Sequence, residues 1–126
     1  MRTPIRFTAL AIAAALCATP ALADDLPTLQ KIKSSGTIVV GHRESSIPFS
    51  YLDGSQKPVG YSMDLCNKVV EAVKKELKMP ALTTKLIPVT SQTRIPLMTN
   101  GTIDLECGST TNSLERQKQV AFGVTT

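Results

Sequence analysis

The chain is poor in metal-binding side chains. It has one histidine, His42, and three cysteines, Cys17, Cys66 and Cys107, with no Cys/His cluster among them. No zinc-type ligand spacing is therefore present, and no metal or cofactor is expected. A Gly-rich phosphate loop, a nucleophile elbow and a paired-cysteine motif are also missing, so the common nucleotide-binding and nucleophilic signatures have no carrier. There are no internal repeats and no low-complexity tracts. No apolar run reaches the roughly 20 residues that a membrane-spanning helix needs. Charge of one sign is not in great excess either: 14 Lys and Arg stand against 10 Asp and Glu.

What is present begins with a leader. Arg2 and Arg6 precede an apolar run, Phe7–Leu16, and Ala21-Leu22-Ala23 fits the small-x-small rule for signal peptidase. Leu16 before Cys17 is too large for a good lipobox. Residues 1–23 are expected to be a cleaved secretory signal, and the product to be soluble and exported. Removing them leaves 12 basic against 10 acidic residues, a balance of +2 that gives no footprint for nucleic acid.

The remaining chain, residues 24–126, reads as one unit. Thr28 is expected to cap a short helix closed by Gly36. Thr37–Gly41, TIVVG, is apolar without alternation, the pattern of a strand buried on both faces of a parallel sheet. Phe49-Ser50-Tyr51 and Val59-Gly60-Tyr61 flank Asp53-Gly54, a turn signal, and predict a β-excursion. Its aromatics serve either packing or one wall of a small-molecule cleft. Ser62–Lys78 is the clearest helix, with Ser62 as its cap. Cys66, Val69, Val70, Val73 and Leu77 form one face, and Asp64/Lys68 and Glu71/Lys75 are acid-before-base pairs on the other. Cys66 on that apolar stripe reads first as a small buried hydrophobe. A bridge between Cys66 and Cys107 is compatible with export and is not required.

Strand, helix, strand and helix then follow over Lys85–Val89, Ser91–Thr99, Ile103–Cys107 and Asn112–Val120. Asn100-Gly101 closes the first of these helices. Hydroxyl residues stand at both strand-to-helix turns: Thr90 and Ser91, then Ser109, Thr110 and Thr111. Arg94 and Arg116 fall in or near first helical turns, where a cation opposes the helix dipole. Each could be a solvated surface arginine, or each could await an anion. Alternating strands and helices imply an open α/β sheet, whose ligands bind off the carboxyl ends of the strands. Three polar clusters fall there in turn: Arg43, then Ser91 and Arg94, then Ser109, Thr111 and Arg116. That convergence favours an anion site, and three guanidiniums suit a ligand with two negative groups.

The stretches IVVGHRESSIPFSYLD, VGYSMDL and VTSQTRIPLMTNGTIDLECGSTTNSLERQKQVAF, behind a leader, resemble the periplasmic amino-acid-binding proteins of ABC importers, solute-binding protein family 3. Among these they look most like the glutamate/aspartate binders. The resemblance implies a periplasmic-binding-protein type II lobe, a mostly parallel sheet flanked by helices, that closes with a second lobe on its ligand. It implies that Ser109, Thr111 and Arg116 hold the α-amino and α-carboxylate groups, and that Arg43, Ser91 and Arg94 read the side-chain carboxylate. Glutamate or aspartate and a membrane permease are the implied partners, and a monomer the implied state. Family members run to about twice this length, so residues 24–126 are expected to be part of the first lobe, in a fragment lacking the second. In relatives the cysteine matching Cys107 can pair with one in that second part, a bridge that cannot form here. Two rival functions use the same fold: a cyclohexadienyl dehydratase-like enzyme and a ligand-sensing input domain. For the enzyme, Glu44 and Glu106 are the acid/base candidates near the strand ends, and both read better as structural.

Overall fold

The computed structural model describes residues 27–124. The expected leader lies outside the described residues. The elements are α1 (Pro27–Ser35), β1 (Thr37–His42), β2 (Ser45–Ser46), β3 (Ser50–Leu52), β4 (Pro58–Val59), α2 (Tyr61–Glu76), β5 (Thr83–Pro88), α3 (Arg94–Thr99), β6 (Leu105–Cys107) and α4 (Leu114–Gln117).

β1 lies at the centre of a parallel three-stranded sheet of order β5-β1-β6. It pairs with β5 from Thr37↔Thr83 to His42↔Pro88 and with β6 from Val40↔Leu105 to His42↔Cys107. Partners on both sides explain why the strand carries apolar residues without alternation. Ile38 and Val40 join Met63, Cys66 and Val70 of α2, Cys107 of β6, and Ile32 and Leu82 in one buried core. Side-chain direction alternates along a strand, so Gly41 and Glu106, which are register partners, point to the opposite face. A Cβ at Gly41 would come within 2.8 Å of Ile103 and 3.1 Å of Val89. The missing side chain thus lets those two residues close over β1.

The β-excursion forms as expected, with one added strand. β2, β3 and β4 make an antiparallel sheet. Its turn is tied by Asp53, whose Oδ1 accepts from the Ser55 and Lys57 N–H groups at 2.8 and 2.9 Å. Those two bonds, that to Lys57 foremost, hold the Asp53 carboxyl below its ordinary pKa. Asp104 ties another corner. It accepts from the Val39 N–H at 2.9 Å and pairs with Lys31 at 2.7 Å, its own side chain 2% exposed.

Helix starts differ from expectation. α1, Pro27–Ser35, contains Thr28 within it rather than being capped by it. α2 begins after Gly60 without a side-chain cap. The Pro48 and Phe49 carbonyls accept from the Tyr61 and Ser62 N–H groups at 3.0 and 2.8 Å, so the Ser62 hydroxyl is free to donate to the Gly108 carbonyl at 2.8 Å. Residues 91–93 form a turn and α3 starts only at Arg94. Thr90 and Thr93 bind each other's backbone N–H through their hydroxyls at 3.1 and 2.9 Å. α4 is one turn long, capped by Ser113 rather than by Ser109, Thr110 or Thr111. Asn100-Gly101 does close α3: the Asn100 and Gly101 N–H groups donate to Pro96 and Met98 carbonyls, and Gly101 has φ +78°.

Three expectations about α2 are corrected. Its charges pair as Glu71–Lys74 at 2.8 Å, three residues apart, rather than four apart as Glu71/Lys75, and Val69 is 45% exposed. More important, Cys66 is not merely a buried hydrophobe. It is bonded to Cys107 across 41 residues, so Cys107 has its partner within this chain. α2 lies against the sheet with Cys66 directly over the end of β6, a crossing that residue spacing does not encode.

Candidate functional site

Polar side chains collect beyond the carboxyl ends of β1 and β6. Arg43 follows β1, and its place is set by Ser50. The Arg43 N–H donates to Ser50 Oγ at 2.9 Å, and that hydroxyl donates back to the Arg43 carbonyl at 3.2 Å. Arg43 Nε donates to Ser46 Oγ at 3.1 Å. Arg94 opens α3 and is only 7% exposed. Arg116 lies in α4 and donates from Nη1 to the Thr111 carbonyl at 2.9 Å.

The three arginines meet around Glu106. All three charges act on its carboxylate, Arg94 most strongly. Thr110 donates to Glu106 Oε2 at 2.9 Å. Gly108 leaves the room this needs: a Cβ there would strike the Glu106 carboxylate and come within 2.7 Å of Arg43 Cγ. Burial pushes the Glu106 carboxyl above its ordinary pKa, against the pull of Thr110 and the arginines. Burial lowers Arg94, Glu106 opposes that, and Arg116 and Arg43 add to it.

Four buried polar atoms here have no hydrogen-bond partner: Arg43 Nη1, Arg94 Nε, Arg94 Nη1 and Glu106 Oε1. Buried donors are paired in the great majority of cases. Three unpaired guanidinium N–H groups in one cluster can each donate to an acceptor oxygen.

Two recesses flank the cluster. One, of about 440 Å³, is lined by Arg94, Glu106, Thr110 and the chain from Gln119 to Gly123. The other, of about 560 Å³, is lined by Ser109, Thr111, Phe49, Tyr61 and Leu65. Thr110, Phe122 and Gly123 border both. Of the aromatics around the β-excursion, Phe49 and Tyr61 line a wall, and Tyr51 lines neither recess. The structure thus brings Arg43, Arg94 and Arg116 together and sets Ser109 and Thr111 on the adjoining recess. Ser91 stands exposed in the turn before α3 and lines neither recess. Sequence reasoning weighed Glu106 as an acid/base candidate and preferred a structural reading, counted Thr110 in a hydroxyl cluster but not in the binding set, and gave Gly108 no part in the site. The signal available was Glu106 one residue before Cys107, at the end of a strand aimed at the clusters.

A parallel sheet flanked by helices, with arginines gathered at its carboxyl edge, defines the class: a lobe of a type II periplasmic binding protein. Solved structures agree. An arginine-bound domain 1 of the arginine-binding protein of T. maritima, as a point mutant, superposes with TM-score 0.65 at 27% identity, covering 76% of this chain and 69% of that one. An ancestral cationic amino-acid solute-binding protein gives TM-score 0.62 at 26% identity, over 72% of this chain and 37% of that one.

Residues 38–126 match the bacterial extracellular solute-binding proteins, family 3, and the chain belongs to that family. It is 62% identical over 119 residues to the glutamate/aspartate import solute-binding protein of Escherichia coli (strain K12), covering 90% of this chain and 39% of that protein. It is 60% identical over 126 residues to the L-glutamate/L-aspartate-binding protein of Pseudomonas aeruginosa, covering 98% and 42%. The chain thus spans about two fifths of the length of the curated relatives it matches.

Proposed function

We propose that the chain carries the first-lobe share of the site of an ABC-importer substrate-binding component, which captures glutamate or aspartate in the periplasm and delivers it to a membrane permease. The observation that carries this reading is the trio of buried, unpaired guanidinium N–H groups on Arg43 and Arg94. Such donors reward a second carboxylate and penalise a ligand that lacks one. The names of relatives 60–68% identical to the chain support the same ligands. In this reading Arg43, Arg94 and Ser91 take the side-chain carboxylate, while Arg116, Ser109 and Thr111 take the α-carboxylate and α-amino groups. The protein is a carrier rather than a catalyst, acts as a monomer, and reaches the periplasm through the leader at residues 1–23. Among the described residues no helix is long and apolar enough to cross a membrane.

A chemical-shift titration tests the ligand class, because it registers binding even at millimolar affinity. Glutamate and aspartate are expected to move the Arg94, Arg116 and Thr111 signals at lower concentration than glutamine does. Arg94→Ala should weaken glutamate by about 10- to 100-fold, the worth of a hydrogen bond between charged groups, and glutamine by much less. Equal losses would refute the side-chain assignment.

A further inference from the structure

We infer that Glu106 is a positioning residue for the acidic ligand: it serves as the internal counter-charge that gathers Arg43, Arg94 and Arg116, and it takes up a proton from solvent when a ligand carboxylate replaces it in that role. The inference rests on the acidic-amino-acid reading above.

The geometry points to it in three ways. Glu106 is held in place from one side only. Oε2 has the Thr110 hydroxyl, whereas Oε1 is buried without a partner. The surrounding guanidiniums likewise leave buried N–H groups unpaired, and none of the ion pairs among the described residues involves Glu106. The carboxylate is therefore within the field of three cations and bonded to none, the placement of a counter-charge rather than of a salt-bridge partner. Finally, the backbone at Gly108 is packed against both the Glu106 carboxylate and the Arg43 stem. Gly108 is itself held by Ser62 of α2, so Glu106 cannot retreat in that direction.

The groups facing Glu106 come from every neighbouring element: Arg43 after β1, Arg94 on α3, Arg116 on α4 and Thr110 after β6. His42 of β1 turns its ring to the Arg43 carbonyl, Nδ1 at 3.1 Å. Asp104, earlier in the chain, is engaged by Lys31 and Val39. The arginines' attraction favours the ionised form of Glu106, and burial opposes it. A ligand carboxylate competes for that attraction and adds a like charge nearby, and both effects favour the protonated acid. Burial already pushes the Glu106 carboxyl above its ordinary pKa. Its proton uptake on binding then makes acidic-ligand affinity rise as pH falls towards that raised pKa, by about tenfold for each unit the ligand adds to it.

The test uses the 126-residue chain with L-glutamate as probe, followed by carboxyl ¹³C and guanidinium ¹⁵N signals over a pH window that spans the Glu106 midpoint with and without the probe. Glutamate is expected to raise the Glu106 midpoint by about one unit, and wild-type affinity to climb about tenfold as pH falls across that window. E106Q keeps the side-chain shape and an acceptor for Thr110. It should bind more tightly than wild type at the alkaline end of the window and show no such slope, while E106D restores the slope. An unchanged slope in E106Q overturns the inference. So does an unmoved Glu106 midpoint while the arginine signals respond, an outcome that wild type alone decides and that leaves the ligand assignment intact. Arginine signals that ignore glutamate remove the ligand assignment, and the inference with it.

Discussion

Reducing the Cys66–Cys107 bond should cost the fold about 4 kcal/mol. The bond closes a loop of 41 residues. In the chain-entropy account, a loop of that length removes about 13 cal/mol/K from the unfolded chain, or about 4 kcal/mol at 25 °C. A domain of this size has roughly 5–15 kcal/mol in all, so the loss is a large share of it. Both thiols would be left buried, Cys107 only 1% exposed, so reduction changes little of the packing and isolates the cross-link. Urea unfolding by far-UV circular dichroism, on the oxidised chain and on the chain kept in a phosphine reductant, measures the difference. The thermal midpoint should fall by roughly 15–30 °C. Cys66→Ala with Cys107→Ala should cost more still, because it also opens space in the core. A reduced chain within about 1 kcal/mol of the oxidised one would refute the reasoning. It would mean that the unfolded chain already holds α2 against β6, or that strain in the native bond offsets the entropy.

Two further outcomes follow from local geometry. Asp104→Ala removes the acceptor of the Val39 N–H and one of the two acceptors of the Lys31 ammonium, which keeps the Gly101 carbonyl, and should cost about 1–3 kcal/mol in the same unfolding assay; a loss under about 0.5 kcal/mol would show that water replaces the carboxylate. Gly60→Ala places a methyl group 2.7 Å from the Pro48 carbonyl oxygen at φ +123°, and should cost at least about 2 kcal/mol, whereas Gly54→Ala, with open space around it, should stay near 0.5 kcal/mol.

The parts of this fold that were legible in the sequence are those with local causes. TIVVG has no alternation because β1 has neighbours on both sides, and Asp53-Gly54 marks a turn because Asp53 binds the backbone ahead of it. The meeting of Arg43, Arg94 and Arg116 was legible from topology, since three strand ends of a parallel sheet share one edge. Helix starts were less so. A hydroxyl suited to capping can find a better partner elsewhere, as Ser62 does at the Gly108 carbonyl and Thr90 does at Thr93. The Cys66–Cys107 bond depends on how α2 crosses β6, and nothing in the spacing of either cysteine reports that angle. The standing of Glu106 was hidden for a related reason. Its surroundings come from three arginines and a glycine on four separate segments.

β1 sets the height of everything around it. His42, Pro88 and Cys107 stand level because one six-residue strand is the ruler for both neighbours, and the loops bearing Arg43, Arg94 and Ser109 all leave from that line. Residues in those loops can then be exchanged, and the taste of the rim altered, without recalibrating the sheet below. A single insertion inside β1 would do the reverse, putting every contact on the rim out of step at once.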